Sequence, residues 1–507
     1  MKVAVADIGT NSSHLLLAEA AGSGYRVLDA LKDRTALGEC LDEAGNLTPE
    51  GEDRLAGALT RFRELSGAAG IPEVRVYATS ALREAPNGQA VAQRMRERTG
   101  LYPAIISGER EGHLTYLGAA HSVEFGPDTL LLDLGGGSLE FARGGPEAPS
   151  DVLSLPVGAI RMTRAFLRHD PPPAREVQAL QAHVQDLLRP HASRFAAQPG
   201  TRVVLSSGTA EAAAVALNAA HTKATLAGPD GSVNGVSFTV AALGGLLDRT
   251  RALRPGARLK VPGFEKRAGT IVAGLAVLHA ALDLLGVREV TVSEGALREG
   301  MLIEELAQLS AFTGGLSLRQ RSVLATAERF GANLAHAGHV AQLARDLLAA
   351  LARTGESFPD EARPLLTAAA ALHETGQIVS QSAHHKHAAY LIRHTDLRGF
   401  SPRERELIAQ VARYHRRSPP KASHADFAAL PAADQALVSR LAAVLRVADG
   451  LDRAHAGGTQ FRELRRARAE DGWTLHVTGA TPLDLAGARE KADLWTREFG
   501  PLTFRNL

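Results

Sequence analysis

The chain holds a single cysteine, Cys40, among 507 residues. That excludes an intramolecular disulfide framework and any metal centre built on a cysteine cluster. It is also short of excess charge. Its 57 Lys and Arg set against 55 Asp and Glu leave a formal charge of +2, which does not by itself support a nucleic-acid binder, so no nucleic-acid partner is expected. No run of about eighteen uninterrupted apolar residues occurs, and no membrane span is expected. Asp7 breaks the N-terminal apolar run too early for a secretory leader. A cytoplasmic location is the default these absences leave. No long low-complexity linker divides the chain. Its length nevertheless exceeds a single usual core, so two to four domains are expected.

What is present is one short pattern, used twice. Val3-Ala4-Val5-Ala6-Asp7-Ile8-Gly9-Thr10-Asn11-Ser12 and Leu130-Leu131-Leu132-Asp133-Leu134-Gly135-Gly136-Gly137-Ser138 share a plan. Each is an apolar run, then Asp, an aliphatic residue, Gly, two small or polar residues and Ser, before a second apolar stretch. A buried strand that ends in such a turn and returns as a strand is a β-hairpin with a polar tip. Glycine permits positive φ and lets successive N–H groups point at one anion. An Asp at the strand end can hold Mg²⁺ beside the phosphate those groups cradle. Two ordinary hairpins are the alternative, because Asp-x-Gly turns are common. Repetition in matched context favours two tips gripping a phosphate chain from both sides.

Alternating strands and helices predict α/β layers through the first 305 residues. A strand is expected over 25–31, and Thr48-Pro49-Glu50 predicts a helix start with Leu55, Leu59, Phe62 and Leu65 as its buried stripe. Strands are expected at 74–78, 104–106, 202–205 and 287–292, and helices at 89–98, 109–117, 159–169 and 174–197. The pattern restarts near Asp128, giving halves 1–124 and 125–305 of related design. The Pro171–Pro173 cluster fits a helix-start loop. Residues 306–456 form a helical domain without a convincing strand. Residues 457–507 form a small α+β domain with a strand at 473–477, a helix at 485–499 and a last strand at 502–504.

Four further segments could carry chemistry. Ala78-Thr79-Ser80-Ala81-Leu82-Arg83 follows a strand directly, and Arg83 offers a planar fork for phosphate oxygens, or is a surface arginine. In Ser107-Gly108-Glu109-Arg110-Glu111-Gly112 a carboxylate could take a proton from an attacking water, or simply favour the helix dipole. Ser206-Ser207-Gly208-Thr209-Ala210 is a strand–helix junction that suits phosphate or only tight packing. Glu294 to Gly300 either lines a cleft or caps a helix.

In these motifs and their order the chain resembles the exopolyphosphatase and guanosine pentaphosphate phosphohydrolase (Ppx/GppA) family, in its long form with an HD-like helical domain. The resemblance extends over most of the chain, and that family belongs to the actin, Hsp70 and sugar-kinase superfamily. It implies an α/β N-terminal half of two ribonuclease-H-like domains with the active site between them, then an all-α HD-like domain and a small α+β C-terminal domain. It implies that Glu111, which keeps the family spacing from Ser107-Gly108, is the general base, with Glu109 its near rival. Asp7, Asp133 and Glu140 would surround Mg²⁺ or another divalent ion, with a monovalent cation as a further option. The phosphates would rest on Gly9, Thr10, Asn11, Ser12, Gly135, Gly136, Gly137 and Ser138, with Arg83 and Gly208. The implied activity is processive release of terminal orthophosphate from polyphosphate. Alternatives are guanosine pentaphosphate as substrate, an ATP-dependent kinase of the superfamily, and a non-catalytic phosphate sensor. A homodimer is implied as well.

His336, His373-Glu374 and Asp449 follow the order of HD-domain metallohydrolases, which place His, His-Asp and Asp around a metal. Here Glu374 replaces the adjacent acid, and its extra methylene departs from that metal geometry. The resemblance to long exopolyphosphatases, whose HD-like domain lacks evident metal-hydrolase function, implies a scaffold that extends the substrate channel rather than a second active site. Basic clusters at His384-His385-Lys386-His387, at Arg413-Tyr414-His415-Arg416-Arg417, and at Arg462, Arg465, Arg466 and Arg468 are either solvated helix faces or a path for a long polyanion. The path residues expected are His387, Arg413, His415, Arg416 and Arg417.

Overall fold

The computed structural model describes residues 2–21, 24–221, 231–309, 316–466 and 472–507. They divide into two compact units, Met1–Ala227 with Ser232–Leu318, and Arg319–Leu507. No helix among the described residues is long and apolar enough to cross a membrane.

The first unit contains two sheets of matching design. One comprises β1 (Lys2–Ile8), β2 (Ser13–Ala21), β3 (Gly24–Asp33), β4 (Val74–Ala78) and β5 (Ala104–Ile105), in the order β3-β2-β1-β4-β5. The other comprises β6 (Thr129–Leu134), β7 (Leu139–Gly144), β8 (Pro149–Leu155), β9 (Arg202–Ser206), β10 (Ser237–Thr239) and β11 (Glu289–Ser293), in the order β10-β11-β9-β6-β7-β8. In each, an antiparallel meander is extended by two parallel strands added beside its first member, and the second sheet ends in the antiparallel β10. β1 and β6 are therefore central and covered on both faces, which is why they read as unbroken apolar runs. The duplicated hairpins of the sequence are the cores of two equivalent sheets.

Helix Pro49–Ala68 begins as expected, the Thr48 hydroxyl accepting from the Gly51 N–H. Its Leu55, Leu59 and Phe62 pack with Ile8, Leu15 and Leu17 on one face of the first sheet. The opposite face, through Val5 and Leu16, meets Leu297, Met301 and Leu302 of helix Leu297–Leu309. Conversely, Tyr116 and Ala119 of helix Gly108–Ala120 cover the second sheet at Leu131 and Val204. Each half thus lends its last helix to the other. The two helices touch backbone to backbone: a Cβ on Gly118 would collide with the Ala296 carbonyl, and one on Gly300 with the Leu114 carbonyl. The sequence-level division at 124/125 marks the duplication, while the exchanged helices bind both halves into one body.

In the second unit, helices Leu334–Arg353, Ala362–Leu372, His384–Arg393, Pro402–Arg413 and Ala432–Gly450 share one core with Trp473, Leu475, Trp495 and Phe504. Those last residues belong to β13 (Trp473–Thr478) and β14 (Leu502–Asn506), which with β12 (Gln460–Arg466) form a sheet in the order β12-β13-β14, and to helix Asp493–Phe499. Residues 457–507 complete the helical core rather than forming a domain of their own. Arg462, Arg465 and Arg466 lie on a strand, not a helix face; Arg468 is outside the described residues.

Candidate active site

The two expected tips are the same turn. Gly9 N–H donates to the Ser12 carbonyl at 3.1 Å, and Gly135 N–H to the Ser138 carbonyl at 3.0 Å. The segment that follows occupies the outward carbonyls of each. Gly38 N–H donates to Thr10 and Ala36 N–H to Asn11, while Gly158, Ala159 and Ile160 donate to Gly137, Gly135 and Gly136. Among the described residues the N–H groups of Thr10, Asn11, Gly136 and Gly137 have no protein acceptor. Both turns line one cleft of about 560 Å³. Free N–H groups on facing walls make an anion cradle.

None of these glycines has positive φ, contrary to the sequence-level reason given for them. They are small because the walls approach closely. A Cβ on Gly137 would collide with the Ser80 hydroxyl, and one on Gly136 would stand 3.1 Å from Thr10 Cβ and Ile160 Cδ1. Gly208 likewise makes room for the guanidinium of Arg267, which a Cβ would strike. Gly208 seats a cation at the cleft wall; both residues line the cleft.

Register lays the acids out in rows. Asp7 pairs with His14, and His14 with Lys32, across β1, β2 and β3. In the equivalent row Asp133 pairs with Glu140, and Glu140 with Ser154, across β6, β7 and β8. His14 Nδ1 is 3.2 Å from Asp7 Oδ2, and Arg298 Nε is 3.6 Å from Asp7 Oδ1. Ser154 donates to Glu140 Oε1 at 2.7 Å, whereas Glu140 Oε2 is buried without a partner. Burial, with the charge of Glu111 and then Asp133, raises the Glu140 carboxyl well above its usual range. Burial, with Glu111, Glu211 and Asp7, pushes Asp133 up to about 8. Burial and the charge of Glu294 push Glu211 up to about 7. Crowded carboxylates in a dry cleft await positive charge.

Glu111 and Glu109 separate cleanly. The Ser107 hydroxyl accepts from Arg110 N–H at the start of helix Gly108–Ala120. Gly108 and Gly112 let that helix lie against Ser154 and Val152, where a Cβ would collide. Glu111 is thereby buried in the cleft, and Glu109 is exposed to solvent. Arg83 does not line the cleft: its Nη1 donates to Glu111 Oε2 at 2.8 Å and to the Ile106 carbonyl at 3.1 Å. The expected phosphate fork is engaged with the acid instead. Burial raises the Glu111 carboxyl, Arg83 opposes this, and the charge of Asp7 adds to it.

The cations were not singled out from sequence. Lys32, Arg164, Lys266 and Arg267 all line the cleft, as does Arg298 from the Glu294–Gly300 segment. Strict pairing from the β2–β3 turn would set Leu31 opposite His14; a bulge between Leu17 and Ala18 shifts the register and brings Lys32 there, so the sequence carries no signal for it. Loop-borne Lys266 and Arg267 carry none either.

Asp7, Asp133 and Glu140 do not close on one another. Among the described residues, the groups of three donors within 4.8 Å lie in the second unit. The unpartnered Glu140 Oε2 and the raised Asp133 still fit a divalent ion. A hard ion such as Mg²⁺ takes one or two carboxylates and completes its shell with water and phosphate oxygens.

In the second unit, Arg413 and Arg417 line a pocket of about 390 Å³ with Lys386, His385 and His424. His387 and Arg416 do not line it; Arg416 Nη1 lies 3.2 Å from His384 Nδ1. His415 is wholly buried against His373 and His384, so it cannot belong to a surface path for a polyanion.

Two equivalent α/β halves, paired N–H cradles, lining cations and a buried glutamate together define an enzyme that works on phosphate groups. Residues 16–309 match the Ppx/GppA phosphatase family, and residues 318–486 match its domain III. The chain belongs to the Ppx/GppA phosphatase family. It is similar to exopolyphosphatase 1 of Mycobacterium tuberculosis, 33% identical over 316 residues that cover 60% of this chain and 88% of that one. It is 32% identical to exopolyphosphatase 1 of Mycobacterium leprae over 330 residues, covering 64% and 94%. A crystal structure of the Aquifex aeolicus family member superimposes with a TM-score of 0.53 at 26% identity, covering 61% of this chain and 99% of that one.

Proposed function

We propose that the protein is an exopolyphosphatase that removes terminal orthophosphate from inorganic polyphosphate, processively and with Mg²⁺. The observation that carries the choice of substrate is the lining of the cleft. It offers backbone N–H groups, hydroxyls and cations, and among the described residues no Phe, Tyr or Trp against which a base could stack. The relatives named exopolyphosphatase support the same choice.

Glu111 takes a proton from water, whose oxygen bonds to the terminal phosphorus as the bridging P–O bond breaks. The electron pair leaves on the penultimate phosphate, and orthophosphate is released. The N–H groups of Thr10, Asn11, Gly136 and Gly137, with Arg267 and Arg298, hold oxygens that gain charge as that bond breaks. Arg83 orients Glu111. Asp7, Asp133 and Glu140 are the residues to hold Mg²⁺, which when bound offsets phosphoryl charge.

Orthophosphate release from long-chain polyphosphate and from guanosine pentaphosphate, measured in parallel with Mg²⁺, tests the proposal. Faster release from polyphosphate is expected. A higher kcat/KM for the nucleotide would make the protein an alarmone phosphohydrolase, and release from neither would return the kinase and sensor alternatives.

The pocket at Lys386, Arg413 and Arg417 is proposed as a secondary contact for long chains. Replacing all three by Gln should weaken long polyphosphate more than short. It should also flatten the slope of log affinity against log salt by about two. Equal losses at both chain lengths would remove the pocket from the path.

A further inference from the structure

A second cluster of ionisable side chains lies wholly within the C-terminal unit. His336 enters from the first turn of helix Leu334–Arg353, and His373 with Glu374 from the end of helix Ala362–Leu372. His415 follows helix Pro402–Arg413, and Asp449 sits in the last turn of Ala432–Gly450. His336 is 2% exposed, and His373 and His415 are each 1% exposed.

The hydrogen bonds fix the tautomers. His336 Nδ1 lies 2.8 Å from an Asp452 carboxylate oxygen, His373 Nδ1 lies 2.7 Å from the Ala370 carbonyl, and His415 Nδ1 lies 2.6 Å from the Ala412 carbonyl. Those oxygens accept, so each Nδ1 carries a proton, and in the neutral ring each Nε2 presents a lone pair. His384 Nε2 stands 3.2 Å from His415 Nε2 and engages it. His336 Nε2 and His373 Nε2 are buried with no hydrogen-bond partner.

Those two nitrogens face Asp449 Oδ1 at 3.7 and 3.6 Å, and Glu374 Oε2 stands 3.8 Å from His336 Nε2. The extra methylene of Glu374 has not taken its carboxylate away. Lys491 donates to the other oxygen of Asp449 and leaves Oδ1 to the histidines. Lone pairs and carboxylate oxygens aimed at one another in a dry interior repel unless a proton or a metal ion comes between them. Their separations approach the edges, roughly 3.4 Å, of a tetrahedron of bonds near 2.1 Å.

We propose that this cluster binds one divalent first-row transition ion, held by Nε2 of His336 and His373 and by the carboxylates of Glu374 and Asp449. Two imidazoles and two carboxylates suit the zinc-to-manganese class rather than a hard, all-oxygen ion. Asp452 is a positioning residue that fixes the His336 ring from its far side, as carboxylates do for metal-bound histidines. The site is separate from the N-terminal cleft and stands whether or not polyphosphate is the substrate. It also departs from the expectation of a scaffold alone.

The test uses full-length protein, stripped with chelator, dialysed and titrated with Co²⁺ while visible absorption and bound metal are measured. One equivalent with ligand-field bands of a low-coordinate N/O site is expected. Asp133→Asn, in the N-terminal cleft, should retain it. Asp452→Asn, which changes the group at the far nitrogen of His336 and keeps an oxygen for the Gly457 N–H, should weaken Co²⁺ by about 10- to 100-fold. His373→Ala should abolish the bands. Wild-type protein that takes up no Co²⁺ with such bands overturns the proposal by itself, whatever the variants' folding; a proton then fills the gap. Uptake unchanged in both Asp452→Asn and His373→Ala overturns it equally.

Discussion

Glu111→Gln is expected to lower kcat for phosphate release by about 10²- to 10⁴-fold, the usual worth of a positioned general base. Glutamine keeps the size of the side chain and an oxygen that Arg83 can still reach, but it cannot accept the proton of the attacking water. Substrate affinity should change little, because the N–H groups of the two turns and the lining cations remain in place. Turnover and binding are therefore expected to part company, which a sensor without catalysis would not show. A pH profile adds an independent readout. Burial raises the Glu111 carboxyl above its ordinary range, with Asp7 adding to this and Arg83 opposing it. Wild-type activity should rise with pH as that carboxyl ionises, and the variant should lose this acidic limb. Glu109→Gln supplies the control, since Glu109 is exposed and its loss should leave kcat within about twofold. Turnover in Glu111→Gln within tenfold of wild type would remove Glu111 as the base, and a comparable loss in Glu109→Gln would move the role two residues back.

How far the sequence reveals this site depends on where each residue sits in the chain. The turns at Gly9 and Gly135 were legible because each follows a central strand, and a strand buried on both faces leaves an apolar run that a polar tip interrupts. Glu111 was legible as an acid at a helix start after a strand, and the spacing of the resemblance chose it over Glu109. The reason for the glycines was not legible. It lies in the approach of Gly137 to Ser80 and of Gly136 to Thr10, contacts between halves that exist only once both have folded. Arg83 illustrates the same limit, because a guanidinium near phosphate chemistry can hold the acid instead of the substrate. Strands β8 and β10 escaped notice: one is only partly buried along most of its length and the other is three residues long, so neither leaves an apolar signature. The separate C-terminal domain failed for a reason of packing. Trp473 and Trp495 signal burial, but only the fold shows that they are buried among the helices of residues 334–450.

Asp133→Asn is expected to move activity and stability in opposite directions. Asp133 stands at the end of β6, opposite Glu140, where burial and the charges of Glu111, Glu211 and Asp7 push its carboxyl up to about 8 from an ordinary 3.8. Between those values the folded chain holds a proton that the unfolded chain has released. Stability of the metal-free protein must then fall as pH rises through that window, reaching its full loss above about 8. Asparagine cannot ionise, so the variant should unfold at a higher temperature than wild type near pH 8, and the two curves should converge toward pH 4. Mg²⁺ should reverse the order by stabilising wild type where Asp133 is ionised, and should shift the variant much less. Activity should fall by about 10²- to 10³-fold, the scale for losing one preorganised electrostatic partner of the transition state. Thermal unfolding in chelator across pH 4 to 9, repeated with Mg²⁺, separates the contributions. Parallel pH profiles for variant and wild type in chelator would mean that Asp133 is ionised at ordinary pH in the free enzyme. A Mg²⁺ shift of equal size in both would take Asp133 out of the ion's surroundings and leave the role to Asp7 and Glu140.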